Sequence, residues 1–186
     1  SRTEEALLAA FAGESQARTR YTFFASAARK EGFRQIEAIF LETAENEKEH
    51  AELFFNHLQG GEAEITAGYP AGIVATTAEN LLAAAEGEKL EWGRLYPDAA
   101  EVAEDEGFKE VANTFRQVAK VEAYHERRYR RLLENVKNGT VFEKPEKVAW
   151  KCRNCGNVME DREDAPKVCP VCLHAQEYFE LWFENY

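Results

Sequence analysis

Residues 30–50, KEGFRQIEAIFLETAENEKEH, recur in altered form at 105–125 as DEGFKEVANTFRQVAKVEAYH. At an offset of 75 positions, Gly32 falls on Gly107, Phe33 on Phe108, Phe40 on Phe115 and Ala44 on Ala119. Glu47 falls on Glu122, and His50 on His125. Taken alone, the stretch ENEKEHAE at 45–52 reads as a charge-dense, solvated helix face. A Glu-x-x-His retained in both copies reads differently: as inward-facing chemistry present twice.

The duplication extends upstream. Tyr21 matches Tyr96 at the same offset, but AGE at 12–14 matches EGE at 86–88 at an offset of 74. Each copy therefore carries one Glu on its first helix, Glu14 or Glu88, and one Glu-x-x-His on its second. Cap signals and glycine breaks predict helices over 3–31, 33–59, 76–106 and 108–138. Thr3 serves as first cap, Thr76 with Glu79 as a capping box, and Gly32, Gly107 and Gly139 as stops. Helices one and two, and three and four, are joined through single glycines and form antiparallel hairpins. Residues 60–76 link the hairpins and span roughly 55 Å when extended. A 26-residue helix is about 39 Å long, so this loop can cross the whole bundle. The fold class is mainly α: a ferritin-like four-helix bundle with one long crossover. A small C-terminal β/loop domain follows, with the boundary placed between 146 and 147, after Lys144-Pro145.

Helical spacing places the motif residues on apolar stripes. Glu14 lies within Leu7, Phe11, Tyr21, Ala25 and Ala28. Glu47 and His50 lie among Ile36, Phe40, Ala44, Ala51 and Phe54. Leu81, Ala84 and Leu95 flank Glu88 and Glu91, and Val111, Phe115, Val118, Tyr129 and Leu132 flank Glu122 and His125. Five carboxylates in one interior repel one another and need compensating cations. Arg18 is the only basic candidate near the stripes. Two metal ions would supply the charge. One Glu from each of two helices plus Glu-x-x-His from each of the others is the pattern of di-iron carboxylate bundles, and such ligands suit Fe or Mn, with Zn also accommodated.

Glu91 exceeds the minimal set. It shares a face with Glu88 and reads either as a surface glutamate or as an alternative ligand that alternates with His50. The offset change between Glu88 and Tyr96 inserts one residue in the third helix, with Pro97 just beyond. This predicts a π-bulge or kink there. Tyr21 and Tyr96 read either as core packing or as phenols donating to ligand carboxylates. His57 and His174 have no partner motif and read as surface residues.

Cys152-Arg-Asn-Cys155 and Cys169-Pro-Val-Cys172 form two CxxC pairs separated by 13 residues, a strong four-thiolate metal signal. Spacing alone leaves a structural zinc ribbon open. Trp150, Tyr178, Phe179 and Trp182 supply a small core, and a unit this small needs a metal staple. Composition narrows the partners. The formal net charge is −11, with no large basic patch, which argues against nucleic acid and anionic membranes. No apolar run approaches a membrane span. With no leader visible and the cysteines paired in metal spacing, the expected compartment is a reducing cytoplasm.

The motifs AFAGESQARTRY, ENEKEHAE, EGEKLEW, LYP and VEAYHERR, followed by CRNCG and CPVC, together resemble the rubrerythrin family over nearly the whole chain. The resemblance implies a non-haem di-iron site, oxo- or hydroxo-bridged in its oxidised state, with ligands Glu14, Glu47, Glu88, Glu91, Glu122 and His125. It implies that His50 replaces Glu91 on one iron in the reduced state, and that Cys152, Cys155, Cys169 and Cys172 hold one Fe. The implied function is a cytoplasmic peroxidase in oxidative stress defence, reducing hydrogen peroxide to water. Electrons would come from an external donor protein, rubredoxin or a reductase, through the Fe(Cys)4 site. A homodimer or higher homo-oligomer is expected. The alternatives are a ferroxidase or iron-storage protein of the same fold, or a non-catalytic metal-binding protein with a zinc ribbon.

Overall fold

The computed structural model describes residues 1–186. Helix α1 spans Arg2–Lys30 and α2 Arg34–Asn56. Helix α3 spans Thr77–Leu90, passes into a π-helical turn at Glu91–Leu95, and continues as α4, Tyr96–Asp105. Helix α5 spans Lys109–Asn138. These form the bundle, with α1 and α2 as one hairpin and α3, α4 and α5 as the other.

The two hairpin turns are built alike, as the repeat requires. Phe33 N–H donates to Ala28 O at 2.9 Å and Gly32 N–H to Arg29 O at 3.2 Å. Phe108 N–H donates to Ala103 O at 2.8 Å and Gly107 N–H to Glu104 O at 3.0 Å. Both are Schellman turns, and Gly32 and Gly107 take φ of 81° and 87°, the left-handed conformation that suits glycine. The crossover, residues 57–76, runs along α1: the Tyr69 hydroxyl donates to Ala9 O at 2.8 Å. It ends at the Thr76–Glu79 capping box, while Thr77 N–H donates to Glu31 Oε1 at 3.0 Å. That bond sets the start of α3 beside the end of α1.

Two corrections concern the N-terminus and the third helix. Ser1, not Thr3, caps α1, in a capping box with Glu4. Thr3 instead donates to Glu106 through its backbone N–H and its hydroxyl. Leu95 is exposed rather than on the buried stripe, because the π turn rotates it out of line. The turn itself lies where the offset change places the extra residue.

The core divides in two around the bundle centre. One cluster gathers Tyr21, Phe24, Ile36, Phe40, Leu81 and Tyr129; the other gathers Leu7, Phe54, Tyr96, Val111 and Phe115. Between them lies a polar layer. The C-terminal unit is a three-stranded antiparallel sheet in the order β2-β1-β3. Its strands are β1 (Glu143–Cys152), β2 (Val158–Asp164) and β3 (Phe179–Leu181). Pairing begins at Glu143 with Asp164, so the sheet reaches back across residue 146. The unit packs on the α1–α2 turn. Phe33 stacks on Phe142 with centroids 6.3 Å apart, and Arg34 donates to Glu177 at 3.0 Å beneath the Tyr178 ring.

Candidate metal centres

Glu14, Glu47, His50, Glu88, Glu122 and His125 are all buried in the polar layer between the two apolar clusters. Their ligand atoms form two overlapping groups, each with all members within 4.8 Å: Glu14, Glu47, His50 and Glu122, and Glu47, Glu88, Glu122 and His125. Glu47 and Glu122 belong to both. His50 Nδ1 lies 2.7 Å from Glu122 Oε1 and 3.1 Å from Glu47 Oε2; His125 Nδ1 lies 2.7 Å from Glu122 Oε2 and 3.1 Å from Glu47 Oε1. The two imidazoles stack, with centroids 5.9 Å apart.

The protein alone cannot satisfy this layer. Glu14 Oε2, Glu47 Oε1, Glu88 Oε2, both Glu122 carboxylate oxygens and His125 Nδ1 are buried with no partner in hydrogen-bonding geometry, close as the imidazoles and carboxylates lie. Burial, then the charge of Glu47, drives the carboxyls of Glu14 and Glu88 well above the ordinary range. Burial pushes Glu47 the same way, but the His125 and His50 imidazoles, each with Nδ1 3.1 Å from a Glu47 oxygen, prevail and hold it at about 2. Burial would lower the histidines, yet their carboxylate partners hold His50 at about 9 and His125 at about 12. Protons here stand in for missing positive charge. Clustered orphan acceptors of this kind fit two divalent cations, which Glu14, Glu47, His50 and Glu122 and Glu47, Glu88, Glu122 and His125 would hold.

The tyrosines support this layer crosswise. Tyr21 Oη donates to Glu88 Oε1 at 2.5 Å, and Tyr96 Oη donates to Glu14 Oε1. Each repeat's phenol thus orients the other repeat's carboxylate. Glu91 opens the π turn, half-buried and outside both groups. Burial and then Glu88 raise its carboxyl well above the ordinary range, and the guanidinium of Arg20 pulls it back. Arg20, not Arg18, is therefore the cation felt here. Arg18 pairs at the surface with Glu45 at 3.6 Å. Arg20 sits one residue before Tyr21, with Nε 2.8 Å from Gln16 Oε1, a position the stripe pattern does not mark. His57 is half-buried, not a free surface residue; its Nε2 lies 2.9 Å from Thr114 Oγ1. His174 is exposed, with Nδ1 3.2 Å from the Cys172 carbonyl.

The second centre gathers Cys152, Cys155, Cys169 and Cys172. Sulfurs of Cys152 and Cys172 lie 3.7 Å apart, and those of Cys155 and Cys169 3.6 Å. Tetrahedral coordination with metal–sulfur bonds of about 2.3 Å requires about 3.8 Å; a disulfide requires about 2 Å. Each CxxC closes with a backbone bond, Gly156 N–H to Cys152 O and Leu173 N–H to Cys169 O, both 2.9 Å. The His174 backbone N–H holds the Cys172 thiol down at about 6, favouring the thiolate that binds metal.

Two family models match this chain: rubrerythrin over residues 5–133, and the rubrerythrin rubredoxin-like domain over 150–180. The chain belongs to the rubrerythrin family. It is 63% identical over 186 residues to rubrerythrin of Porphyromonas gingivalis, covering 100% of this chain and 92% of that one. It is 49% identical over 181 residues to rubrerythrin of Nitratidesulfovibrio vulgaris, covering 97% and 94%. Among solved structures it resembles fully reduced, all-ferrous nigerythrin, with a TM-score of 0.65 and 29% identity over 97% of this chain and 86% of that one. A bacterioferritin of Desulfovibrio desulfuricans, 19% identical with a TM-score of 0.61 over 75% and 82% of the chains, shares the ferritin-like fold. In rubrerythrin terms, the bundle supplies the carboxylate–histidine layer and the tail supplies the rubredoxin-like four-cysteine unit. No helix is long and apolar enough to cross a membrane.

Proposed function

We propose that this protein is a non-haem di-iron peroxidase that reduces hydrogen peroxide to water. The observation that carries the reading is the pair of overlapping clusters sharing Glu47 and Glu122. Two metal positions bridged by common carboxylates suit a two-metal clamp on one small substrate. Glu14, Glu47, His50 and Glu122 would hold one ion, and Glu47, Glu88, Glu122 and His125 the other. When bound in its reduced state, the pair supplies the two electrons that the reaction consumes.

The chain's own contribution is orientation and exclusion. Tyr21 and Tyr96 fix the Glu88 and Glu14 carboxylates, so each presents its second oxygen inward. The flanking aromatic clusters keep bulk water away and strengthen every charge inside. His50 occupies the cluster while Glu91 stands outside it, the arrangement expected if these two side chains exchange on one metal. Cys152, Cys155, Cys169 and Cys172 would hold a single iron that changes geometry little on gaining an electron. Such a relay suits electrons arriving one at a time from an external carrier protein.

Metal analysis with a visible spectrum tests the assignment, followed by peroxide addition to the anaerobically reduced protein. The expected result is three irons per chain, a red thiolate-to-iron band, and stoichiometric loss of peroxide. A colourless tail holding zinc, or peroxide left unconsumed, would overturn it.

A further inference from the structure

The internal repeat supplies a comparison for every buried residue: where the copies diverge, one half shows what the other needs for packing alone. Two rings at repeat-equivalent positions flank each cross-bonded tyrosine. Phe40 and Tyr129 lie 6.1 and 5.5 Å from Tyr21; Phe115 and Phe54 lie 5.8 and 5.4 Å from Tyr96. Phe54 and Tyr129 are equivalent positions, and so are Val118 and Thr43. All four are buried, at 0%, 1%, 3% and 1% exposure respectively. Around Tyr96 the core is apolar at both positions, Phe54 and Val118, whereas around Tyr21 it carries a hydroxyl at both, Thr43 from one repeat and Tyr129 from the other.

Packing does not explain the hydroxyls. Phe54 shows that a plain ring fills this space. The Tyr129 hydroxyl is buried without a hydrogen-bond partner, which leaves its desolvation uncompensated. Thr43 Oγ1 donates to Ile39 O at 2.9 Å and keeps its own lone pairs free. Burial, then the nearby charge of Glu88, pushes the Tyr129 phenol well above its ordinary value, and the neighbouring Thr43 hydroxyl pulls it back. Along the helices, Thr43 precedes Glu47 by one turn and Tyr129 follows His125 by one turn. The pair therefore lies against the Glu47–Glu88–Glu122–His125 cluster, next to the tyrosine that donates to Glu88. On the outer side their sequence neighbours Glu42 and Arg128 join α2 to α5 at 2.6 Å on the surface.

We propose that Thr43 and Tyr129 hold one water molecule and that this set of hydroxyls delivers protons to the Glu88–His125 side of the metal centre. The delivery role rests on the peroxidase reading above. Reducing hydrogen peroxide to two waters breaks one O–O bond and takes two electrons, from the reduced metal pair, and two protons. The held water passes one proton to the departing oxygen, recovers it through Tyr129 and Thr43 from solvent at the α2–α5 seam, and passes the second proton by the same route. Neither hydroxyl is consumed. Phe54 and Val118 offer no such route on the Glu14–His50 side, so protonation is one-sided. Tyr129 is a positioning residue, acting through the water.

The test uses two substitutions, each to the residue at the equivalent position of the other repeat: Tyr129→Phe, after Phe54, and Thr43→Val, after Val118. In the metal-free full-length protein, a high-resolution crystal structure should show a water on the Tyr129 hydroxyl. Both variants should lose it, and Tyr129→Phe should melt at a lower temperature. In the ferrous protein, both variants should keep full metal stoichiometry. Single-turnover oxidation by hydrogen peroxide should slow by at least about 10-fold, with a larger solvent deuterium isotope effect. A dry Tyr129 hydroxyl, with Tyr129→Phe melting higher, would overturn the water site. An unchanged rate and isotope effect would overturn the delivery role. If wild-type protein holds the water but does not consume peroxide, the peroxidase reading fails and takes the delivery role with it, while the water site stands.

Discussion

Tyr21 Oη donates to Glu88 Oε1 at 2.5 Å, a bond between residues 67 positions apart that ties the first helix of one repeat to the first helix of the other. Tyr96 returns the bond to Glu14. The exchange makes each repeat incomplete alone: neither copy's carboxylate is oriented without the other copy's phenol. Removing either phenol leaves a carboxylate free to turn. Tyr21→Phe and Tyr96→Phe should each weaken metal binding in the bundle by roughly 10–100-fold, measured by competition with a chelator. Because the bonds are related by the repeat, the two losses should be similar. Undiminished affinity in both would reduce the tyrosines to packing.

Much of this arrangement is legible in the sequence because it is periodic. The matched Glu-x-x-His motifs place four ligand candidates on two helices, and the 75-to-74 offset change locates the π turn within a few residues of Glu91. What is not legible is tertiary. Thr3 carries a good cap residue type, but its hydroxyl goes to Glu106, 103 positions away, and nothing local marks that. Arg18 falls near the inward stripe by count, yet its position one residue past buried Ala17 turns it roughly 100° toward solvent. Arg20 lies over the Phe24 ring and bonds Gln16 one turn back, while its pull on Glu91 of the third helix depends on how the hairpins are placed. The tyrosines are visible as a matched pair, whereas their crossed partners require the relative placement of the two hairpins.

Glu91 separates metal holding from turnover. Its carboxylate stands outside both clusters, so each proposed metal position keeps four candidate ligands without it. Glu91→Ala should retain both metals by elemental analysis, and peroxide turnover should fall by about 10-fold or more, in line with losses at residues that support a metal site. Unchanged turnover at full loading would make Glu91 a structural member of the π turn.

Metal removal should expose an alkaline weakness. In the metal-free protein His50 titrates at about 9 and His125 at about 12, against an ordinary value of 6.5, because carboxylate partners outweigh burial. A raised value means that the stabilisation is complete below pH 6.5 and is lost as pH rises through the folded-state value. Glu47, held at about 2, contributes above its ordinary 4.5 and loses that only in acid, so it does not change the alkaline window. The melting temperature of the metal-free protein should therefore fall between pH 6.5 and 9. Bound cations displace these protons, so the gap between loaded and metal-free melting temperatures should widen with pH. A gap constant across that range would place the metals on other residues.

The cysteine unit and the bundle meet through a small set of contacts, which makes their division of labour testable. Phe142 stacks on Phe33, and Arg34 is held by Glu177 and Tyr178. The ligand candidates of the bundle all lie before residue 126, within two apolar clusters drawn from the helices alone. The sheet's pairing begins at Glu143, so a chain ending at Val141 cuts before the interface rather than through a strand. It exposes Phe33 and leaves Arg34 with its Glu37 partner at 3.2 Å, a modest loss next to the intact bundle core. Such a chain should fold as a helical protein, bind two irons, and be oxidised once by peroxide at close to the full-length rate. Sustained turnover with a protein donor should collapse, because the bundle would lose the four-cysteine relay proposed above. Circular dichroism, iron analysis and paired single- and multiple-turnover assays separate these steps. Full-rate sustained turnover by the truncated chain would assign the cysteine unit a structural role, and loss of the bundle irons would show that the tail is needed to build the centre.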